Sequence, residues 1–261
     1  MKNKIIKIFS YVILSLFFSI NLNSEELFNF NVSEIKITQD GNLFQGFGGG
    51  KAFTNDGVSI SAENFEYNKI DNFLIAKNNV QFIDKSKKLI INANEITYDK
   101  KQEKIVAKGN VKIIDNINRT TILANEIIYY ESKQEIFAKN NVKLNDEINN
   151  LSIISDDIYF SKNEKKIIAE TNVILEDFKK DIKINSNKIT FNKIENLIFT
   201  EGKTTANIKS KLYFDSSNVK FFKKEMKLFS KNKTIIQSKD FSLYELSSFE
   251  YQIDKEFLKG K

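Results

Sequence analysis

The chain repeats itself every 31 residues, and this period constrains the fold more than any other feature. Two columns of residues show it. The aromatic column is Tyr67, Tyr98, Tyr129, Phe160 and Phe191, and the valine column is Val80, Val111, Val142 and Val173. A fixed period of this length is typical of proteins in which each unit buries its apolar face against the next. The sequence therefore predicts an elongated repeat protein.

The second half of each repeat has the pattern of a half-buried strand. In residues 104–113, one set of alternate positions is apolar or small and the other is polar. The first set is Ile105, Ala107, Gly109, Val111 and Ile113, and the second is Lys104, Lys108, Asn110 and Lys112. Residues two apart share a face of a strand, so one face is buried and the other solvated. We predict a regular strand here.

The first half of each repeat contains a phase change. The apolar residues Leu89, Ile91 and Ala93 lie at odd-numbered positions, whereas Ile96 and Tyr98 lie at even-numbered positions. The alternation of apolar and polar residues is therefore shifted by one residue between Ala93 and Ile96. The same slip recurs between the following pairs: Ala62 and Phe65, Ala124 and Ile127, and Ser155 and Ile158. A slip at a fixed place in every repeat predicts a β-bulge or bend that keeps the apolar side chains inward.

These patterns predict an all-β fold with about two strands per repeat. The turn segments 99–102 and 115–118 are short and polar, and no helical period is convincing after the N-terminal segment. Two architectures fit: a jelly-roll-like stack of antiparallel strands, or a two-faced β-solenoid.

The N-terminal segment has the order of a secretory signal peptide. A lysine-containing start precedes an apolar run over residues 8–20 and a short polar stretch ending near Ser24. We predict a signal peptide over 1–24 and export to the periplasm; an uncleaved anchor over 5–22 is the alternative. No cysteine follows the run, so a lipoprotein is excluded.

Composition removes most catalytic chemistry. The chain has no cysteine and no histidine, which excludes disulfides, thiol nucleophiles, imidazole bases and the usual zinc sites. Nothing marks a nucleophile beside a base, so we predict no enzyme activity, no cofactor and no metal. The net charge of +6 is carried by lysine, with Arg119 the only arginine. We attribute this to AT-rich codon usage and predict no nucleic-acid partner.

The repeats divide the mature chain into three parts. Residues 25–57 form a divergent opening repeat, 58–222 the clear repeats, and 223–261 a degenerate C-terminal repeat. The segment Gly46–Lys51 suggests a phosphate-binding loop, but Gln45 and Ala52 stand where that motif requires Gly and Ser or Thr. We predict that its glycines allow tight bending or close approach of another backbone.

Small residues recur at the middle of the inward face and leave open what fills the interior. One hypothesis is an apolar trough for acyl chains; the other is a core in which two layers simply pack closely. The residues predicted to line a trough are Leu74, Ala76, Val80, Phe82, Ile105, Ala107, Gly109, Val111, Ile113, Ile136, Ala138, Val142, Leu144, Ile167, Ala169 and Val173.

The repeats resemble a known family. Ala93-Asn94-Glu95-Ile96-Thr97-Tyr98-Asp99 with Ala107-Lys108-Gly109-Asn110-Val111, and Ala124-Asn125-Glu126-Ile127-Ile128-Tyr129 with Ala138-Lys139-Asn140-Asn141-Val142, resemble the OstA-like repeat of lipopolysaccharide transport proteins. The resemblance covers roughly residues 58–222. It implies a V-shaped, twisted β-jellyroll in the periplasm whose groove carries lipopolysaccharide acyl chains toward the outer membrane. It also implies partners that are like domains, LptC-like, LptD-like or a second copy, joined by strand addition at sheet edges.

Two kinds of family member fit, a bridge protein like LptA and the N-terminal periplasmic domain of a protein like LptD. Residues 251–261 resemble the start of another repeat, because Phe257-Leu258-Lys259-Gly260 parallels Val106-Ala107-Lys108-Gly109. A truncated LptD-like chain lacking its barrel is therefore the alternative to the bridge protein, and both stay open. The competing function, of another class, is a structural or adhesive repeat protein with a filled core and no lipid ligand.

Overall fold

Every regular element of the described part of the chain is a β-strand. The computed structural model describes residues 28–261, so the predicted signal segment lies outside the described residues. The strands are β1 Asn29–Thr38, β2 Leu43–Phe53, β3 Val58–Ala62, β4 Asn64–Asn68, β5 Phe73–Asp84, β6 Leu89–Asp99, β7 Lys104–Asp115, β8 Thr120–Tyr130, β9 Glu135–Asp146, β10 Leu151–Ser161, β11 Lys166–Asp177, β12 Ile182–Asn192, β13 Leu197–Ile208, β14 Leu212–Ser217, β15 Lys220–Phe222, β16 Lys227–Ser230, β17 Thr234–Ser238, β18 Leu243–Leu246, β19 Phe249–Gln252 and β20 Phe257–Gly260. None of the elements in residues 28–261 is a helix that could cross a membrane.

The strands form one antiparallel sheet in which neighbours in the chain are neighbours in space. From β5 to β13 each strand pairs with the next, and two strands make one 31-residue repeat. The prediction of an all-β fold with two strands per repeat is confirmed. A solenoid would stack its strands in parallel, so the antiparallel pairing favours the jelly-roll-like alternative.

Each long strand is bent at its middle. The phase slip predicted after Ala93 is confirmed, because Ala93 and Ile96 are both buried although they lie three residues apart. The pairing shifts register there: Lys77 pairs with Glu95, and Val80 pairs with Ala93. Three residues on one strand thus span two on the other, which is a β-bulge.

The prediction that the second strand is regular is wrong. Gly109 and Asn110 in β7 have positive φ angles of 76° and 49°. The same two places in β5, β9 and β11 are also left-handed, at Asn78 and Asn79, Asn140 and Asn141, and Thr171 and Asn172. Glycine and asparagine adopt this conformation most readily. Ala107 and Val111 lie an even number of residues apart on either side of this bend. The apolar alternation therefore continues across the bend and does not reveal it in the sequence.

The bends fold the sheet into two facing halves. The rings of Phe82 and Tyr98 meet edge to face with their centres 5.7 Å apart, although they lie on opposite sides of the bends in β5 and β6. The inward faces of both halves are buried in one apolar cluster that runs from Phe28 to Ile253. The core therefore lies between the two halves and extends along the whole stack of repeats.

The two ends of the sheet are less regular. In β2, Gly48 and Gly49 have φ angles of 73° and 83°, and a Cβ added to Gly50 would lie 2.2 Å from the backbone oxygen of Asn31. The prediction of bending and close backbone approach at this segment is confirmed. Toward the C-terminus the strands shorten: β13 pairs with both β14 and β15, which together take the place of one long strand. The predicted domain boundaries stay predictions.

Candidate functional site

The residues predicted to line a trough lie on the inward face of the fold. All of them except the half-exposed Gly109 are 2% exposed or less. The alanines and valines lie at the bends, flanked on one side by Leu74, Ile105, Ile136 and Ile167 and on the other by Phe82, Ile113 and Leu144. The structure thus brings the predicted set together along one interior. Whether that interior holds lipid stays a prediction.

Large residues of the intervening strands fill the space beside the alanines. Ala107 pairs with Ile96 on one side and with Ile127 on the other, and Val111 pairs with Ala124. Small and large side chains therefore alternate from strand to strand at this level of the interior. In this arrangement the two halves of the sheet contact each other directly.

The lining becomes polar toward the C-terminus. Ser155 and Ser186 follow the alanines of earlier repeats, Thr200 takes the place of Ala169, and Thr204 takes that of Val173. The Thr200 and Thr204 hydroxyls are 2.7 Å apart, and the Ser186 hydroxyl lies 3.3 Å from Thr204. Burial of a hydroxyl is tolerated when it is hydrogen-bonded. Sequence analysis missed this change, although the substitutions lie in the repeat columns.

On the side opposite the bends, the ends of the strands in the two halves meet. The turns that connect these strand ends form a line that we call the seam. Its aspartate turns, 85–88, 116–119, 147–150 and 178–181, each follow an aspartate that ends a strand. Its lysine turns are 100–103, 131–134, 162–165, 193–196 and 223–226, and all but the second begin with lysine. The aspartates are Asp84, Asp115, Asp146 and Asp177, and all four are at most 3% exposed.

Three of the four buried aspartates bind both their own turn and a lysine of the opposite turns. Asp115 Oδ1 accepts the backbone N–H of Asn118 at 2.9 Å, while its Oδ2 lies 2.8 Å from Lys162 Nζ. Lys193 Nζ lies 2.8 Å from Asp146 Oδ2, and Lys223 Nζ lies 2.7 Å from Asp177 Oδ2. These three pairs repeat one contact along the stack and form the rungs of an ion-pair ladder.

The lysines of the ladder also cover the aromatic column. Lys162 Nζ is 4.8 Å from the centre of the Tyr129 ring, and Lys193 Nζ is 5.0 Å from the centre of the Phe160 ring. A cation over an aromatic face is attracted by the ring quadrupole. The lysine side chains therefore close the apolar interior on the side opposite the bends.

One rung exchanges its charges and keeps its pairing. The lysine turn that faces Asp84 begins with Glu131, and Lys87 from the aspartate turn lies between the two carboxylates, 3.2 Å from Asp84 and 2.5 Å from Glu131. Tyr98 Oη donates to Glu131 at 2.6 Å. A glutamate on one side is thus compensated by a lysine on the other, so the seam stays paired at this repeat.

The rungs shift the titration of their members. Burial disfavours the charged form of Asp115, but hydrogen bonds from Lys162 and Asn118 outweigh it and hold its pKa below the usual range. Burial likewise opposes ionisation of Asp84, and contacts with Ser86 and Lys87 still lower its pKa. Burial and the neighbouring Glu131 raise the pKa of the Tyr98 hydroxyl well above its usual range. Asp84 and Asp115 are therefore charged at neutral pH.

The described backbone hydrogen bonds of the turns do not cross the seam. The lysine turns bond to one another, as in Lys162 N to Gln134 O at 3.0 Å, and the aspartate turns do the same, as in Glu147 N to Arg119 O at 3.1 Å. Side chains alone join the two rows. The sequence analysis did not predict this ion-pair ladder. The signal that could have indicated it is the recurrence of aspartate every 31 residues at Asp84, Asp115, Asp146 and Asp177.

The site offers no metal-binding cluster in the described residues, where no group of three or more acidic side chains converges.

No protein-family model matches the chain, and no curated protein matches it. Among solved structures it is similar to LptH from Pseudomonas aeruginosa, the LptA-homologous periplasmic component of the conserved lipopolysaccharide transport device. The identity is 14% and the TM-score 0.40, over 44% of this chain and 83% of that chain. The resemblance to the OstA-like family therefore continues to rest on the repeat motifs.

Proposed function

We propose that the protein is a non-enzymatic carrier that holds the acyl chains of lipopolysaccharide between the two halves of its sheet. The observation that carries this proposal is the single apolar interior that continues through every repeat from Phe28 to Ile253. Two such faces on one folded sheet form a continuous interior, in which the only polar lining described above is the group of hydrogen-bonded hydroxyls toward the C-terminus. The repeat motifs that resemble the OstA-like family support the same function.

The energetics of such a conduit are adequate. Each buried methylene group contributes roughly 0.8 kcal/mol of transfer free energy. Burial of an acyl chain with about a dozen methylene groups is therefore favourable by on the order of 10 kcal/mol. This gain is opposed by the ordering of the chain and by the protein contacts that it displaces. Because the lining residues now contact one another, the halves must separate to admit a chain.

The proposal includes a place and partners. Export through the predicted signal segment, residues 1–24, would put the domain in the periplasm, and like domains would extend it by strand addition. Within the described residues β1 pairs only with β2, and its Ile35 and Ile37 are 52% and 58% exposed. An unpaired edge with exposed isoleucines suits pairing with another domain.

A structural repeat protein with a filled core is the second candidate. It is favoured by the burial of the lining residues at 2% or less. In that case the interior would stay closed under all conditions, and no lipid would reach it.

Photo-crosslinking separates the two candidates. A photoreactive residue at Val142, which is fully buried, should label lipopolysaccharide in cells, while one at the exposed neighbour Lys143 should not. Probes at Ala107 and Lys108 form a second matched pair. Labelling from Lys108 and Lys143 alone would contradict the carrier function, provided that each variant retains its strand signal in circular dichroism.

A further inference from the structure

We infer that the seam is the entrance through which an anionic amphiphile reaches the interior, with its chains passing between the rungs and its charged group held by seam lysines. This inference rests on the proposed carrier function and adds the route and the chemical class of the group that is recognised.

The bend side of the fold cannot serve as the entrance. There the strands run continuously from one half into the other, and the backbone pairing of β6 with β7 resumes directly across the bulge. Opening that side would break the sheet. At the seam, by contrast, only side-chain contacts such as Lys162–Asp115 and Lys193–Asp146 join the halves. The halves can therefore separate there without loss of strand pairing.

A cavity of about 340 Å³ already lies at the seam. Its walls come from two aspartate turns and two lysine turns, and they include Lys162, Lys165, Lys193, Ile148 and Phe160. Lys162 and Lys193 are neutralised by their aspartates, whereas Lys165 is an exposed residue outside the rungs. Ammonium groups beside apolar side chains suit a ligand that carries an anionic group on a hydrocarbon body.

The aspartate turns give this entrance an apolar and basic lip. Ile117, Ile148 and Phe178, which lie in successive aspartate turns, are 58%, 56% and 66% exposed. The four turns carry six basic residues, Lys85, Lys87, Lys88, Arg119, Lys179 and Lys180, against the two acidic residues Glu147 and Asp181. Exposed apolar side chains among positive charges attract an anionic amphiphile.

A reversible staple across the seam tests the entrance. Asn116→Cys with Asn163→Cys places two exposed thiols on either side of the Lys162–Asp115 rung and leaves the rung intact. The chain has no other cysteine, so a short bifunctional thiol reagent with a reducible bond joins only these two. The control, Lys101→Cys with Ser132→Cys, joins neighbouring lysine turns and does not cross the seam.

We expect the seam staple to slow uptake of fluorescent lipopolysaccharide at least tenfold, with full recovery after reduction, and the control staple to leave uptake unchanged. Equal uptake by the two stapled proteins would overturn the entrance while the carrier function stands. If the unmodified protein takes up none, the carrier function fails and the entrance with it.

A second variant tests recognition of the charged group. Lys165→Ala should weaken retention of lipopolysaccharide about fivefold, because the variant loses the contribution of one partly exposed ion pair to binding. It should leave retention of zwitterionic phosphatidylcholine unchanged. Lys139→Ala, on the exposed face of β9, should change neither. Equal losses for both lipids, or no loss for either, would overturn the role of the seam lysines in holding the charge.

Discussion

At the scale of single residues, the aspartates of the seam explain how charged groups are accommodated in a nearly closed interior. Each carboxylate satisfies one oxygen with backbone N–H groups of its own turn and the other with a lysine, as Asp146 does with Asn149 and Lys193. Burying a charge is costly unless it is both paired and hydrogen-bonded. The pair is therefore sensitive to the loss of one partner.

Removing one partner of a rung should cost far more than removing both. Lys193→Met leaves Asp146, whose side chain is fully buried, without its counter-charge, and we expect about 3–5 kcal/mol of destabilisation. Adding Asp146→Asn should recover most of that loss. Urea unfolding of the two single variants and the double variant measures the coupling.

The exposed pair Arg119–Glu147 is the control for this cycle. Both side chains are more than 60% exposed, so Arg119→Ala should change the unfolding free energy by less than about 1 kcal/mol. A cost for Lys193→Met as small as that for Arg119→Ala would contradict the importance of the ladder.

Stability should fall with acidification below about pH 4. The pKa of Asp115 is lowered in the folded state, so the unfolded chain binds its proton first as pH falls. The stabilisation is present above the ordinary pKa of 3.8 and is lost as pH decreases through the lower folded value. Urea midpoints measured from pH 6 to pH 2 should show this loss, and Asp115→Asn should make it shallower.

At the scale of elements, the bend at the middle of each strand sets the shape of the repeat. Its two left-handed positions are occupied by Asn78 and Asn79 in β5 and by Gly109 and Asn110 in β7. Thr171 in β11 is the exception, because a β-branched residue at a φ of 66° is strained.

Exchanging residues between repeats tests this strain. Thr171→Asn should stabilise the protein by about 1 kcal/mol, since asparagine tolerates the left-handed conformation that Asn140 adopts in β9. The reverse change, Asn140→Thr, should destabilise it by a similar amount. Thermal unfolding of both variants checks the sign, and stabilisation by Asn140→Thr would show that the bend does not select these residues.

The strands and the first bend could be predicted because a period of two residues, and a slip in it, are visible in one sequence. The bend at Gly109 could not, since Ala107 and Val111 lie four residues apart and keep their face. The seam depends on the fold as a whole: Lys162 and Asp115 belong to different turns that meet only when the halves close. The predicted trough residues lie together in the structure. The isoleucines beside them, such as Ile96 and Ile127, belong to the other strand of each repeat, and the small-residue column of one strand does not indicate them.

At the scale of the whole molecule, the sheet behaves as a clamp with a continuous backbone at the bends and a side-chain closure at the seam. Facing sheets pack roughly 10 Å apart when side chains interdigitate. A layer of acyl chains between them adds at least one carbon–carbon contact distance, about 4 Å. Lipid binding inside the clamp must therefore widen the seam.

The distance across the seam, measured with and without lipid, tests this directly. Spin labels at Asn116→Cys and Asn163→Cys report the opening, and labels at Lys108→Cys and Glu170→Cys, on the outward face of β7 and β11, report the sheet itself. We predict that lipopolysaccharide lengthens the first distance by about 4 Å or more and leaves the second unchanged. An unchanged seam distance in protein that demonstrably carries lipid would contradict an interior that opens to hold it.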